Sequence, residues 1–171
     1  MVIWLIGLAG AGKTTIGKAV HARLKARNAA TVFLDGDHMR AIMGDDLGHA
    51  LDDRRKNGRR LCRLCEFLDR EGIDVVCAIL SLFHDHQAWN RETFSRYFEV
   101  FIDVPWDTLV ARDQKGLYSD AQSGRIKNVA GMDIPFDPPP NADLVIRNDG
   151  DLARVPTLAD EIVRAIGAVR P

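Results

Sequence analysis

Val2 to Ile6 is a short, unbroken apolar run that ends on Gly7, the pattern of a strand buried on both faces. The period then changes. Ile16, Val20 and Leu24 recur at four-residue steps between Lys13 and Lys25 and predict a helix. Thr31 to Leu34 predicts a second strand, stopped by Asp35-Gly36-Asp37. Leu51 to Glu71 predicts a long amphipathic helix with Leu61, Leu64, Cys65 and Leu68 on its apolar stripe and Gly72 at its C-terminal stop. Gly58 interrupts that helix at about 1 kcal/mol relative to alanine, with no function apparent from sequence. Val75–Leu80 and Phe98–Val104 predict two more buried strands, and Pro105 opens a helix at its first turn. Residues 116–140 are punctuated by glycine and proline and read as a loop or lid, its lid portion about 116–133. Leu144-Val145-Ile146 predicts a fifth strand and Leu158–Val169 a closing helix. Strands alternating with helices predict an α/β fold: a five-stranded parallel sheet with helices on both faces.

A length of 171 residues suits one domain, taken here as residues 1–171. Lys and Arg number 23 against 24 Asp and Glu, a net charge of -1, which argues against a nucleic-acid partner. The N-terminal segment lacks a charged leader, and its apolar run is too short for a membrane span. Cys62, Cys65 and Cys77 are an odd set with no disulfide framework. These features lead us to expect a soluble cytoplasmic protein with no membrane partner.

Gly7-Leu8-Ala9-Gly10-Ala11-Gly12-Lys13-Thr14 fits G-x-x-x-x-G-K-[ST], with a strand before it and a helix after it. Glycines let backbone N–H groups approach phosphate oxygens, and the helix start adds its positive dipole end. The motif places the fold among P-loop NTPases. It nominates Gly7, Ala9, Gly10, Ala11, Gly12, Lys13, Thr14 and Thr15 for ATP, with Lys13 on the β- and γ-phosphates and Thr14 on Mg²⁺. The Asn-Lys-x-Asp motif of a GTPase is absent from the sequence, and the chain is short for a motor ATPase. A non-catalytic ATP-binding module is the competing class; its expected mark is a damaged P-loop or a missing acidic residue after the second strand.

That acidic residue is Asp35. Strand C-termini surround the ligand crevice of a parallel sheet, so Asp35 is placed to face the γ-phosphate and an incoming hydroxyl. It could accept the hydroxyl proton or orient Mg²⁺. Capping of the next helix suits Asp37 better than Asp35.

Further motifs resemble the adenylyl-sulfate (APS) kinase family. Asp35-Gly36-Asp37 with Arg40 resembles D-G-D-N-x-R. Asp46-Leu47-Gly48 resembles D-L-G-F, and Asp53, Arg54 and Asn57 resemble D-R-x-x-N. Ser81 sits in the place of I-S-P-Y-R. Arg112-Asp113-Gln114-Lys115-Gly116-Leu117-Tyr118 resembles R-D-P-K-G-L-Y; Ile126, Lys127 and Gly131 resemble I-K-x-F-T-G; Pro135 to Pro139 resembles P-Y-x-P-P. The resemblance implies transfer of the ATP γ-phosphoryl to the 3′-hydroxyl of APS, with Mg²⁺ as cofactor. It makes Asp35 and Lys13 catalytic, adds Arg112 to the ATP site, and allows a homodimer. It assigns Asp37, Arg40, His49, Arg54, Asn57, Leu80, Ser81, Phe83, Lys115, Leu117, Lys127 and Val129 to the acceptor.

The departures lie on the acceptor side. The family stacks adenine between two phenylalanines, and here those positions are His49 and Val129. Stacking on an aromatic is worth about 1–3 kcal/mol per base. I-S-P-Y-R becomes Leu80-Ser81-Leu82-Phe83-His84, without its arginine. A branch resembling APS kinase acts in capsular-polysaccharide pathways on cytidine diphosphoramidate, and a pyrimidine needs less stacking surface. The expected acceptor is therefore cytidine diphosphoramidate, with a true APS kinase of sulfate activation as the alternative. Cys62-Arg63-Leu64-Cys65 has C-x-x-C spacing without a second ligand pair nearby and reads as packing. His84-Asp85-His86 reads as a helix start beside the crevice.

Overall fold

The structure, a computed structural model, describes residues 1–44, 46–113 and 116–168. Its strands are β1 (Val2–Ile6), β2 (Thr31–Asp35), β3 (Asp74–Ile79), β4 (Tyr97–Asp103) and β5 (Leu144–Arg147). Its helices are α1 (Lys13–Lys25), α2 (Gly36–Ile42), α3 (Leu51–Arg70), α4 (His84–Thr93), α5 (Trp106–Ala111), α6 (Leu117–Gln122) and α7 (Val155–Ala168). The strands form one sheet in the order β2-β3-β1-β4-β5, and every pairing is parallel.

Alternation along β1 builds both faces. Ile3 and Leu5 join Ile16, Val20 and Leu24 of α1 and Leu158, Ile162 and Ile166 of α7 in one core. Val2, Trp4 and Ile6 point the other way, to Leu61, Cys62 and Cys65 of α3, with Cys77 of β3. Helices thus cover both faces, which is why central β1 is apolar throughout rather than alternating with polar residues. The cysteines are buried packing residues, and burial pushes the Cys62 thiol up to about 12.

Three readings of the sequence need correction. The stretch 116–140 is not wholly loop, because α6 lies inside it. The side chain of Asp113 accepts from the backbone N–H groups of Tyr118 (3.1 Å) and Ser119 (2.9 Å), and Gly116 supplies a left-handed turn at φ 65°. The cap of α2 is Asp35, not Asp37: Asp35 Oδ1 accepts from the N–H of Asp37 at 3.1 Å and of His38 at 3.3 Å. The last helix also begins at Val155, earlier than its apolar spacing indicates. Gly58 has a packing reason: a Cβ there would stand 3.0 Å from His86 Nδ1, so its absence lets α4 close against α3. Among the described residues no helix is long and apolar enough to cross a membrane.

Candidate active site

The five strand C-termini lie on one edge of the sheet, and the chain reverses its direction of winding at central β1. That edge is where an open α/β sheet forms its ligand crevice. Here β1 runs into residues 7–12 and then into the N-terminus of α1. A Cβ on Gly7 would stand 2.9 Å from the Ile102 carbonyl oxygen. Gly10 and Gly12 have φ of 76° and 89°, which side chains rarely adopt. Lys13 Nζ donates to the Leu8 carbonyl at 2.8 Å, curling the lysine back over the loop.

Thr14 Oγ1 donates to Asp35 Oδ2 at 2.6 Å. The start of α1 and the end of β2 therefore meet. A hydroxyl and a carboxylate are hard oxygen donors of the kind Mg²⁺ prefers, so Thr14 and Asp35 fit as its protein ligands, directly or through water.

Residues that the resemblance nominates for the acceptor come together from three segments. Arg40 Nη1 donates to the carbonyls of Leu47 (3.0 Å) and Gly48 (2.5 Å). Arg54 donates to the His49 carbonyl (2.8 Å) and to the Asn128 carbonyl (2.7 Å). Burial first, and the Arg40 charge next, depress the Arg54 guanidinium pKa, while Asp37 and Asp133 act in the opposite sense. Two crowded cations at a crevice are a setting that an anionic ligand relieves. Asp133 in turn holds the backbone at 128–129, accepting from the N–H groups of Asn128 and Val129, both at 2.6 Å, with Asn128 at φ 65°. Asn57 is buried, and its Oδ1 lacks a partner among the described residues.

After β3, Ser81 adopts φ 51°. Trp4 Nε1 donates to its hydroxyl at 3.1 Å and Gln87 to its carbonyl at 3.2 Å, so the turn is held from both sides. Leu80 is half-buried and Phe83 is buried. The Arg55 guanidinium lies 4.1 Å above the Phe83 ring and pairs with Asp85 at 2.7 Å. His49 and Lys127 are exposed and Leu117 is half-buried. Val129, by contrast, is 2% exposed and packs in the core of the α1 face. Arg112 donates to the carbonyls of Asn148 and Gly150, bracing the turn after β5 beside the P-loop. Lys115 lies outside the described residues.

Sequence reasoning missed three contributors. Tyr118 donates to the Ala9 carbonyl at 2.8 Å, and Asn148 Nδ2 donates to the Ala11 carbonyl at 2.9 Å. Arg55 covers Phe83. Tyr118 was visible as the end of R-D-Q-K-G-L-Y; Asn148 and Arg55 had no local signal.

This sheet order, with the phosphate loop after its central strand and a carboxylate facing that loop from β2, defines a P-loop kinase. The comparisons identify the group. The adenylylsulphate kinase family profile matches residues 1–147, and the chain belongs to that family. It is 42% identical over 152 residues to the cytidine diphosphoramidate kinase of Campylobacter jejuni, covering 86% of this chain and 85% of that one. It is equally 42% identical over 149 residues to an adenylyl-sulfate kinase of Paraburkholderia xenovorans, covering 86% and 83%. The Mycobacterium tuberculosis APS kinase CysC, solved in complex with AMPPNP and APS, superposes with a TM-score of 0.89 at 32% identity over 98% of this chain and 97% of that one. The protein is therefore a phosphotransferase of the APS kinase type that uses ATP.

Proposed function

We propose that the chain transfers the γ-phosphoryl of MgATP to the ribose 3′-hydroxyl of a 5′-modified nucleotide, and that this nucleotide is cytidine diphosphoramidate. The observation that carries the choice is Val129. Of the two positions that the family fills with stacking phenylalanines, one is buried in the core here, and the other is an exposed histidine. A site without that pair of rings forgoes about 1–3 kcal/mol of stacking per base, a loss that falls harder on a purine.

In this reading Asp35 accepts or orients the 3′-hydroxyl proton, and Lys13 steadies charge on the transferring group. Thr14 and Asp35 would hold Mg²⁺, which would supply further neutralisation of that charge. Arg40, Arg54 and Asn57 bind the acceptor, with Asp37, the 80–83 turn, Leu117 and Lys127 around it. Closure of the lid at 116–133 excludes water and limits wasteful hydrolysis.

The test is product mass and ATP consumption with cytidine diphosphoramidate and adenylyl sulfate side by side. Turnover of the cytidine compound alone supports the reading. Efficient turnover of adenylyl sulfate alone overturns the acceptor and makes the protein an adenylyl-sulfate kinase.

A further inference from the structure

The phosphate loop is held from behind. Tyr118 Oη donates to the Ala9 carbonyl at 2.8 Å and Asn148 Nδ2 to the Ala11 carbonyl at 2.9 Å. In a trans peptide the C=O and the N–H of the same unit point in opposite directions. Fixing the Ala9 carbonyl therefore fixes the direction of the Gly10 N–H, and fixing the Ala11 carbonyl fixes that of Gly12. Both glycines sit at positive φ, and glycine leaves the backbone many other conformations. A restraint from outside the loop is needed to keep one of them.

Both donors are rigid. Tyr118 is 1% exposed, and its ring meets Trp106 edge-on at 5.1 Å. Burial first, and Asp113 second, push its phenol up to about 12, so it keeps its proton at neutral pH. Asn148 is 5% exposed; its N–H donates to the Asp103 carbonyl at 2.9 Å, and its own carbonyl accepts from Arg112 at 3.0 Å. A Cβ on Gly12 would stand 2.7 Å from Asn148 Nδ2, so the fit is close.

We propose that Tyr118 and Asn148 are positioning residues for the phosphoryl-transfer reaction, pinning two P-loop carbonyls outward so that the Gly10 and Gly12 amides face the ATP phosphates. They act through the backbone, and Tyr118 does so from the lid helix. The inference rests on the use of ATP and not on the identity of the acceptor.

The test is calorimetric binding of two Mg²⁺-loaded probes, a non-hydrolysable ATP analogue and inorganic tripolyphosphate, to the whole protein and to Tyr118→Phe and Asn148→Ala. Loss of one hydrogen bond should weaken both probes in parallel, by about two- to tenfold per variant. KM for ATP should rise by a similar factor, with KM for the acceptor unchanged. Unchanged affinity accompanied by a lower melting temperature makes the two residues structural only and overturns the proposal. So does weakening of the analogue with tripolyphosphate unaffected, because the defect then lies in the nucleoside half. Should one variant fail to fold, the other decides. Should neither fold, Gly10 and Gly12 amide resonances in the unsubstituted protein decide: a downfield move on adding tripolyphosphate supports the proposal, and no move overturns it.

Discussion

Asp35 has two tasks, and they can be separated. One oxygen caps α2, and the other meets Thr14 at 2.6 Å. Asparagine caps a helix about as well as aspartate but carries no charge. Asp35→Asn should therefore keep the melting temperature of the ligand-free protein while transfer falls about 10²- to 10⁴-fold, the scale of a lost general base. Asp35→Ala should in addition lose about 1 kcal/mol of stability with the cap. Steady-state kinetics beside chemical denaturation checks both, and near-normal turnover in Asp35→Asn would remove the catalytic assignment. His86 gives a pH effect. Burial lowers its pKa below the ordinary 6.5, opposed by Asp85 and assisted by Arg55 and Arg59. The unfolded chain then binds the proton more tightly. The stabilising contribution is present above pH 6.5 and is lost as the pH falls through that value toward the folded pKa. His86→Gln should flatten the fall in unfolding free energy as the pH drops below about 6.5. An unaltered slope would mean that His86 is not buried neutral.

Between elements, the seam of α3 and α4 depends on one missing methyl. Gly58→Ala should gain up to about 1 kcal/mol of helix propensity, but its Cβ would meet His86 Nδ1 at 3.0 Å. In the otherwise unsubstituted chain the two effects should nearly cancel; in a His86→Ala background the full gain should appear. Denaturation of the four members of that cycle measures the coupling, and strict additivity would mean that the seam is looser than the contact implies. The elements also differ in how legible they were. The strands β1 to β5 and helices α1 and α3 carry their own periodicity, because each has a face or a whole surface to bury. Helix α6 was not legible: it spans six residues, depends on the side chain of Asp113, and buries mainly Tyr118. The choice between Asp35 and Asp37 as cap of α2 was equally beyond the sequence, since it turns on where β2 ends.

For the whole molecule, the phosphate loop follows directly on β1, the strand that joins the two halves of the sheet. Ligand there should stabilise the entire fold. A non-hydrolysable MgATP analogue at a hundred times its Kd should add about 2.7 kcal/mol, read as a rise in melting temperature. A rise without Mg²⁺ equal to that with it would count against Thr14 and Asp35 as its ligands. The sequence by itself determined the layer order, the phosphate-loop motif with its flanking strand and helix, and membership of the family. Those features are local: a glycine-rich turn between a strand and a helix, and apolar periods matched to burial. Tertiary structure decided the rest. Val129 turned into the core, Arg55 came to lie over Phe83, and Tyr118 and Asn148 reached the P-loop across 109 and 137 residues of chain. No periodicity encodes such contacts, because they depend on which strand ends the fold brings side by side.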